Sequence, residues 1–173
     1  MRFLTTLSVA VLVALPSRGA APTPPAPLMA RTQLAQATAA AKKWRPDAVL
    51  THVSSITVNA DGSAKSWLYT FYAPQSKKSM IITVAVGVPL DTLETPNTSM
   101  VPLGDTFVDS DRAMQLAKQH DLKGSSPSMG LVVMGITGSP IWSVNGGFAE
   151  GDVSVMLDGK TGAFIRREVI SYK

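Results

Sequence analysis

Residues 109–121, DSDRAMQLAKQHD, begin the part of this 173-residue chain that decides its fold. The apolar residues and alanines of this stretch recur at intervals of three and four, a spacing that predicts a helix with one buried face. Either Asp109 or Ser110 can cap its first turn by accepting hydrogen bonds from free amide groups. The helix should end near Asp121, because glycine and proline follow within a few residues.

Four strands are predicted after this helix, because short runs of β-branched and aromatic residues replace the helical spacing. Their ranges are 131–137, 141–144, 153–157 and 164–171. The turn from Asp158 to Gly162 is the clearest hairpin signal of the chain, since Gly162 can adopt a positive φ. Asn145, Gly146 and Gly147 are also typical of a turn. We therefore expect one helix followed by an antiparallel meander.

The first half of the chain carries a similar succession of patterns. An alanine-rich helix is predicted over 34–44, and strands follow over 49–58, 65–72 and 80–88. The apolar residues of the two helices, like Trp67 and Trp142, are separated by a nearly constant offset, which predicts an internal repeat. Both tryptophans lie inside predicted strands among apolar neighbours, so we expect them in the core.

These patterns predict an α+β protein of two similar lobes. Each lobe would be a helix packed on an antiparallel sheet of three to four strands. Residues 31–88 would form the first lobe and residues 107–173 the second, and residues 89–106 are interpreted as a connector because they show no sustained period. The two sheets could also join into one longer sheet, and the sequence leaves this open.

Residues of the second lobe resemble the PepSY domain of bacterial secreted proteins. The matching positions are Asp109-Ser110-Asp111-Arg112-Ala113, Ala117, Trp142-Ser143-Val144, Val155-Met156-Leu157-Asp158 and Lys160-Thr161-Gly162. The match spans roughly the last third of the chain, with the first half as a degenerate second copy. It departs from the family at Gly159, where alanine is commoner, and residues 124–138 show no specific match. PepSY domains also occur in the propeptides of thermolysin-type proteases, so the resemblance implies a protein that binds and restrains a protease or another envelope protein.

The amino terminus predicts export. A positive charge at Arg2, an apolar run over residues 7–15 and small residues before a cleavage point after Gly19 are typical of a secretory signal peptide, residues 1–19. An uncleaved anchor is the alternative, but the run is much shorter than the roughly 20 residues that a membrane span needs. Residues 20–30 are rich in alanine and proline and are interpreted as an extended tether. We expect a periplasmic or secreted protein with no membrane span.

The composition narrows the classes of partner. The chain has 16 basic residues, 12 acidic residues and no cysteine. Loss of Arg2 and Arg18 with the signal peptide leaves a small net positive charge, too weak and scattered to predict nucleic-acid binding. Without cysteine there is neither a lipid-attachment site nor a disulfide framework. The hydrophobic core alone must therefore hold the fold.

The sequence lacks the residue sets of known catalytic and metal sites. His52 and His120 are the only histidines, and neither lies in a zinc-ligand spacing. The aspartates around Asp109 lack the glycine and terminal glutamate of a calcium loop, and no serine lies in a Gly-x-Ser-x-Gly elbow. We therefore expect a non-enzymatic protein without catalytic, cofactor-binding or metal-binding residues.

Binding through an extended surface is the remaining hypothesis. The last strand is predicted to lie at a sheet edge, where unpaired amide and carbonyl groups can bind a partner strand. The predicted partner-binding residues are Phe164, Arg166, Arg167, Glu168 and Val169. The alternative is a small-ligand carrier or sensor that uses a cleft between helix and sheet or between lobes. The sequence identifies neither the protein partner, such as a secreted protease, nor the oligomeric state.

Overall fold

The computed structural model describes residues 26–96, 101–104, 106–124, 126–134 and 138–172. The predicted signal peptide and the first part of the predicted tether lie outside these residues. Within them the elements are α1 (Leu34–Trp44), β1 (Val49–Ser55), β2 (Ser66–Ala73), β3 (Lys78–Ala85), β4 (Asp91–Thr95), α2 (Ser110–Gln119), β5 (Ser128–Val133), β6 (Pro140–Phe148), β7 (Gly151–Asp158) and β8 (Phe164–Ser171).

The strands form one antiparallel sheet in the order β4-β3-β2-β1-β5-β6-β7-β8. The two halves of the chain meet where β1 pairs with β5, for example with Val53 opposite Leu131. Helix α1 packs on β2 and β3, and α2 packs on β6 and β7. The buried residues of both helices belong to one core cluster, so one face of the sheet is covered and the opposite face is open.

The prediction of an α+β protein made of two similar helix-on-sheet lobes is wrong. The described strands form one eight-stranded antiparallel sheet that runs through both halves and carries only two short helices. Trp67 of β2 and Trp142 of β6 are completely buried and contact each other edge to face, with ring centroids 6.3 Å apart. Phe107 packs against Trp142 in the same way at 6.2 Å. The aromatic residues thus form one core across the junction of β1 and β5, and neither half buries its tryptophan alone. The predicted core position of both tryptophans is confirmed.

Both helices occur where the spacing predicts them. Buried alanines of α1, Ala37 and Ala41, face the sheet, as do Ala113 and Ala117 of α2. Asp109 is the N-cap of α2, and its carboxylate accepts a hydrogen bond from the backbone N of Ser110 at 2.8 Å. Neither helix of the described residues is long and apolar enough to cross a membrane. Each half is a helix followed by four strands, but an internal repeat in the sequence stays a prediction.

Two segments differ in kind from their predicted structure, and residues 135–137 of the predicted strand 131–137 lie outside the described residues. Residues 89–106, predicted as a connector, contain β4, which pairs with β3 at the sheet edge. Asn145, Gly146 and Gly147, predicted as a turn, lie inside β6. A Cβ at Gly146 would overlap the carbonyl group of Lys123. The glycine is therefore explained by the close approach of the backbone that follows α2, not by a turn.

The end of the predicted tether is docked on the core. The carbonyl of Leu28 accepts a hydrogen bond from Trp67 Nε1 at 2.8 Å. The backbone N of Ala30 donates to Ser110 Oγ at 3.0 Å, and its carbonyl accepts from the Tyr69 hydroxyl at 2.9 Å. This short segment is therefore bonded to β2 of the first half and to the first turn of α2 in the second half.

Tyr69 makes stability depend on pH in the alkaline range. Burial, with a smaller effect of the Asp109 charge, raises the pKa of Tyr69 well above its ordinary value of 10.0. The folded state therefore holds the neutral phenol, and this contribution to stability is full below about pH 10 and decreases above it. We expect the melting temperature of Tyr69→Phe to fall less than that of the wild type between about pH 9 and pH 11. Thermal melts across this range, with Tyr72→Phe as the control, test this; parallel decreases in all three proteins would contradict it.

Candidate functional site

The hairpin between β7 and β8 determines where the last strand lies. Asp158 Oδ1 accepts hydrogen bonds from the backbone N of Lys160 and of Thr161 and from Thr161 Oγ1, at 2.8 to 3.0 Å. The bonds from Thr161 are the main reason that the pKa of the Asp158 carboxyl lies below its ordinary value. Gly162 has a φ of +78°, which favours glycine. The predicted hairpin is confirmed, and it returns β8 along β7.

Strand β8 forms one edge of the sheet. It pairs with β7, and no strand of the described residues pairs with its outer side. All eight residues of β8 are exposed. The large apolar residues here, each between 45% and 63% exposed, are Phe164, Ile165, Val169, Ile170 and Tyr172. A long edge strand with exposed apolar side chains is the kind of surface to which another strand can add.

The side chains of β8 divide between the two faces of the sheet. Arg167 lies opposite Val155 and Val169 opposite Val153, and both of these β7 valines are completely buried on the face that holds the helices. Phe164 lies opposite the buried Leu157 on the same face, because the register shifts by one residue between Met156 and Leu157. The open face carries Arg166, Glu168 and Ile170. On the face that holds the helices, β8 therefore presents apolar and basic side chains. On the open face it presents side chains of both charges.

The backbone of β8 directs some of its amide groups outward. Tyr172 N donates to Glu150 O at 2.9 Å, which makes these two residues a hydrogen-bonded pair. Bonded and non-bonded pairs alternate along an antiparallel ladder. The N–H and C=O groups of Arg167, Val169 and Ser171, which lie at the alternate positions, consequently point away from β7. These groups form a ladder edge that an added strand can complete.

The charges of β8 are matched on one face only. On the open face, Arg166 Nε lies 3.1 Å from Glu168 Oε1 and 3.1 Å from Met156 Sδ. On the other face, Arg167 has no ion-pair partner within the described part of the chain. In the free protein, water therefore solvates the positive charge of the Arg167 guanidinium group.

The structure places all five predicted partner-binding residues on one exposed strand. The ring of Phe164 also stacks on His120 at the end of α2, with centroids 4.0 Å apart. Three further residues contribute to the surface at this edge and were not predicted: Ile170 and Tyr172 at the end of the chain, and Asp152 of β7. Ile170 and Tyr172 could have been included, because they continue the same apolar run. Asp152 reaches the edge only through strand pairing, and its carboxylate accepts a hydrogen bond from the Tyr172 hydroxyl.

The opposite edge of the sheet is less suited to strand addition. Strand β4 has only five residues. Its Glu94 accepts a hydrogen bond from Trp44 Nε1 at 2.8 Å and is ion-paired with Lys78. Short strands and charged side chains are devices that protect a sheet edge from pairing. The two edges therefore differ, and β8 is the better candidate.

A cavity of about 410 Å³ adjoins β8 on the open face. Its polar lining includes a row of residues that lie opposite one another in four successive strands: Ser128, Asn145, Ser154 and Glu168. Asp152 and Ile170, a further pair across β7 and β8, also line the cavity. The open face beside β8 therefore offers hydroxyl, amide and carboxylate groups.

The cleft between helix and sheet is small. A cavity of about 170 Å³ lies beside α1, and its lining includes Leu34, Thr38, Ala48, Leu50, Phe71 and Pro102. Typical small-molecule sites occupy about 300–1,000 Å³. The cleft between α1 and the sheet is therefore smaller than the usual site of this kind.

The two histidines have different surroundings. His52 lies on the open face between Thr70 and Val132, and burial lowers its pKa. His120 stacks on Phe164. In the ranges that the structure describes, no group of three metal-ligating side chains comes together. The geometry of the described residues thus draws attention to β8 rather than to the histidines.

Comparisons with known proteins concern the fold. No protein-family model matches the chain, and no curated protein does. Among solved structures, the chain is similar to one described as a "putative lipoprotein" from Clostridium difficile 630. The two sequences are 12% identical, the match covers 79% of this chain and 91% of that chain, and the TM-score is 0.56. The PepSY resemblance stays a prediction.

Proposed function

We propose that this protein is a non-enzymatic binding protein that takes up an extended segment of another exported protein as an added strand on β8. The observation that carries this proposal is the outer edge of β8, where outward amide groups and exposed apolar side chains lie together. An added strand would pair with those amides and cover the apolar side chains. In this mode of recognition, main-chain hydrogen bonds supply affinity and alternate side chains supply specificity.

Two observations support an exported protein, and a partner that it meets would then be exported as well. Residues 1–19 have the order of charge, apolar run and small residues that is typical of a signal peptide. The similar solved structure is described as a "putative lipoprotein". The PepSY resemblance supports a secreted protease as the partner, which this protein would restrain by holding one of its segments in the sheet.

Val169→Pro tests the proposal at the outer edge of β8. The N–H of Val169 points away from β7, so proline removes a donor for the partner while keeping the ladder to β7, and edge strands tolerate proline in this orientation. Val169→Ala is the matched control, because it shortens the side chain and keeps the amide. We expect the mature chain, residues 20–173, to capture a partner from envelope extract, and proline to reduce this capture roughly 10- to 100-fold. Quantitative mass spectrometry of the captured proteins provides the measurement.

The fold of all three proteins is checked by circular dichroism and melting. If the partner is a protease, its rate should fall in proportion to added wild-type protein and much less with the proline variant. Equal capture by wild type and a folded Val169→Pro protein would exclude the β8 edge. The open-face cavity, and with it ligand carriage, would then be the better explanation.

A further inference from the structure

Arg167 lies at the edge end of a row of side chains that is buried and apolar across β5, β6 and β7. Met129, Val144 and Val155 lie opposite one another in β5, β6 and β7, and Arg167 continues this row on β8. The three apolar residues are part of the core, whereas Arg167 is exposed at the sheet edge. An added strand would place its own residue next in this row, directly opposite Arg167.

The surroundings of Arg167 on this face are apolar. Phe164 and Val169 share its face and are each 46% exposed. A partner that covers these two side chains also removes water from the guanidinium group between them. A charge that loses water without gaining an opposite charge opposes binding.

On the open face of β8, a partner does not have to supply a negative charge. Arg166 is already ion-paired with Glu168, 3.1 Å away. The adjoining cavity adds the carboxylate of Asp152. An acidic residue of the partner on this face would therefore approach the carboxylates of Asp152 and Glu168. The positive charge of Arg166 is already paired with Glu168.

We infer that the segment bound by β8 carries an acidic residue opposite Arg167, on the face that holds the helices, two positions from an apolar residue opposite Val169. This inference rests on the proposed function and specifies the chemistry of its partner. Opposite charges directly across two strands stabilise the pair, and like charges destabilise it. The carboxylate would replace the water that Arg167 loses.

The same charges disfavour several registers of pairing with β8 of a second copy. In a symmetric antiparallel pairing, the residue on the two-fold axis lies opposite itself. A pairing centred on Arg166, Arg167 or Glu168 therefore places two like charges opposite each other at the centre of the interface. A different protein segment with a carboxylate at this position avoids that repulsion.

A displayed library of randomised segments of about nine residues tests the inference without an identified partner. The library is sorted on the mature wild-type chain, on Val169→Pro, on Arg167→Glu and on Lys160→Glu, which makes the same change in net charge in the hairpin turn. We expect wild type and Lys160→Glu to enrich segments with an acidic residue two positions from an apolar one. Arg167→Glu should enrich lysine or arginine at that position instead. For a selected peptide, replacing the acid by lysine should weaken binding to wild type about tenfold.

The outcomes separate this inference from the proposed function. Enrichment of apolar segments without an acidic position, lost on Val169→Pro, would overturn the inference and support strand addition. Equal reversal by Lys160→Glu and Arg167→Glu would also overturn it, because net charge would then explain the preference. No enrichment over Val169→Pro would contradict both proposals. A concentration-dependent dimer of the mature chain that Val169→Pro abolishes would replace the inferred partner with a second copy.

Discussion

Trp142→Ala is expected to lower the free energy of unfolding by about 3–5 kcal/mol. The indole is completely buried, contacts Trp67 and Phe107 edge to face, and donates from Nε1 to Val108 O at 2.9 Å. Alanine leaves a cavity at the centre of the shared core and a carbonyl without its hydrogen bond. This loss is a large part of the about 5–15 kcal/mol that stabilises a typical domain.

Chemical denaturation of wild type and variant measures this loss. Trp142→Phe is the matched variant, because it keeps an aromatic ring and most of the side-chain volume. It loses the hydrogen bond to Val108 O. A double-mutant cycle with Trp67→Ala should give a coupling of about 0.5–1.5 kcal/mol, since the two rings touch across the junction of the halves. Unchanged stability of Trp142→Ala with loss of partner binding would contradict the core role and assign Trp142 to recognition.

Gly62→Ala is expected to cost about 2–5 kcal/mol. Gly62 has a φ of +87°, a conformation that costs other residues about 1–2 kcal/mol. A Cβ there would lie 2.6 Å from Asp111 Cα and 2.7 Å from Asp111 N, in the first turn of α2. Because these are backbone atoms, the connection between β1 and β2 would have to move away from α2, and overpacking of this kind adds about 1–3 kcal/mol.

Gly87→Ala is the matched control for this effect. Gly87 has a φ of +70°, but a Cβ there would meet no atom within 4 Å. Its cost should therefore reflect backbone strain alone, about 1–2 kcal/mol. The difference in unfolding free energy between the two variants measures the contact of the β1–β2 connection with α2. Equal costs would contradict the importance of that contact.

Local patterns predicted the individual elements well wherever the chain interacts mainly with itself. The ranges of α1 and β8 and the hairpin that Asp158 and Gly162 form agree with the prediction. Strand β4 was missed, because it has only five residues, two of them the strand-disfavouring Asp91 and Glu94, and it depends on pairing with β3. The glycine within β6 was misinterpreted, because the backbone that approaches Gly146 comes from another part of the chain.

The candidate site on β8 was also predictable only in part from the sequence. The sequence pointed to the last strand as a sheet edge through its mixture of apolar and charged residues, and β8 lies at one edge of the sheet. Strict alternation would place Phe164 with Arg166 and Glu168. The register shift beside Leu157 instead places Phe164 with Arg167 and leaves Arg166 on the open face. The folded sheet therefore decides that Arg167, and not Arg166, lies on the apolar side without an ion-pair partner among the described residues.

The sequence by itself determined the two helices, most of the strands and the hairpin, because spacing, capping and turn residues act over a few neighbouring positions. Only the tertiary structure decided that the strands form a single sheet. Backbone donors and acceptors are the same in every strand, so no local pattern specifies that β1 pairs with β5. That pairing is stabilised by the shared burial of Trp67 and Trp142, which lie in different halves of the chain and meet only when both halves are folded.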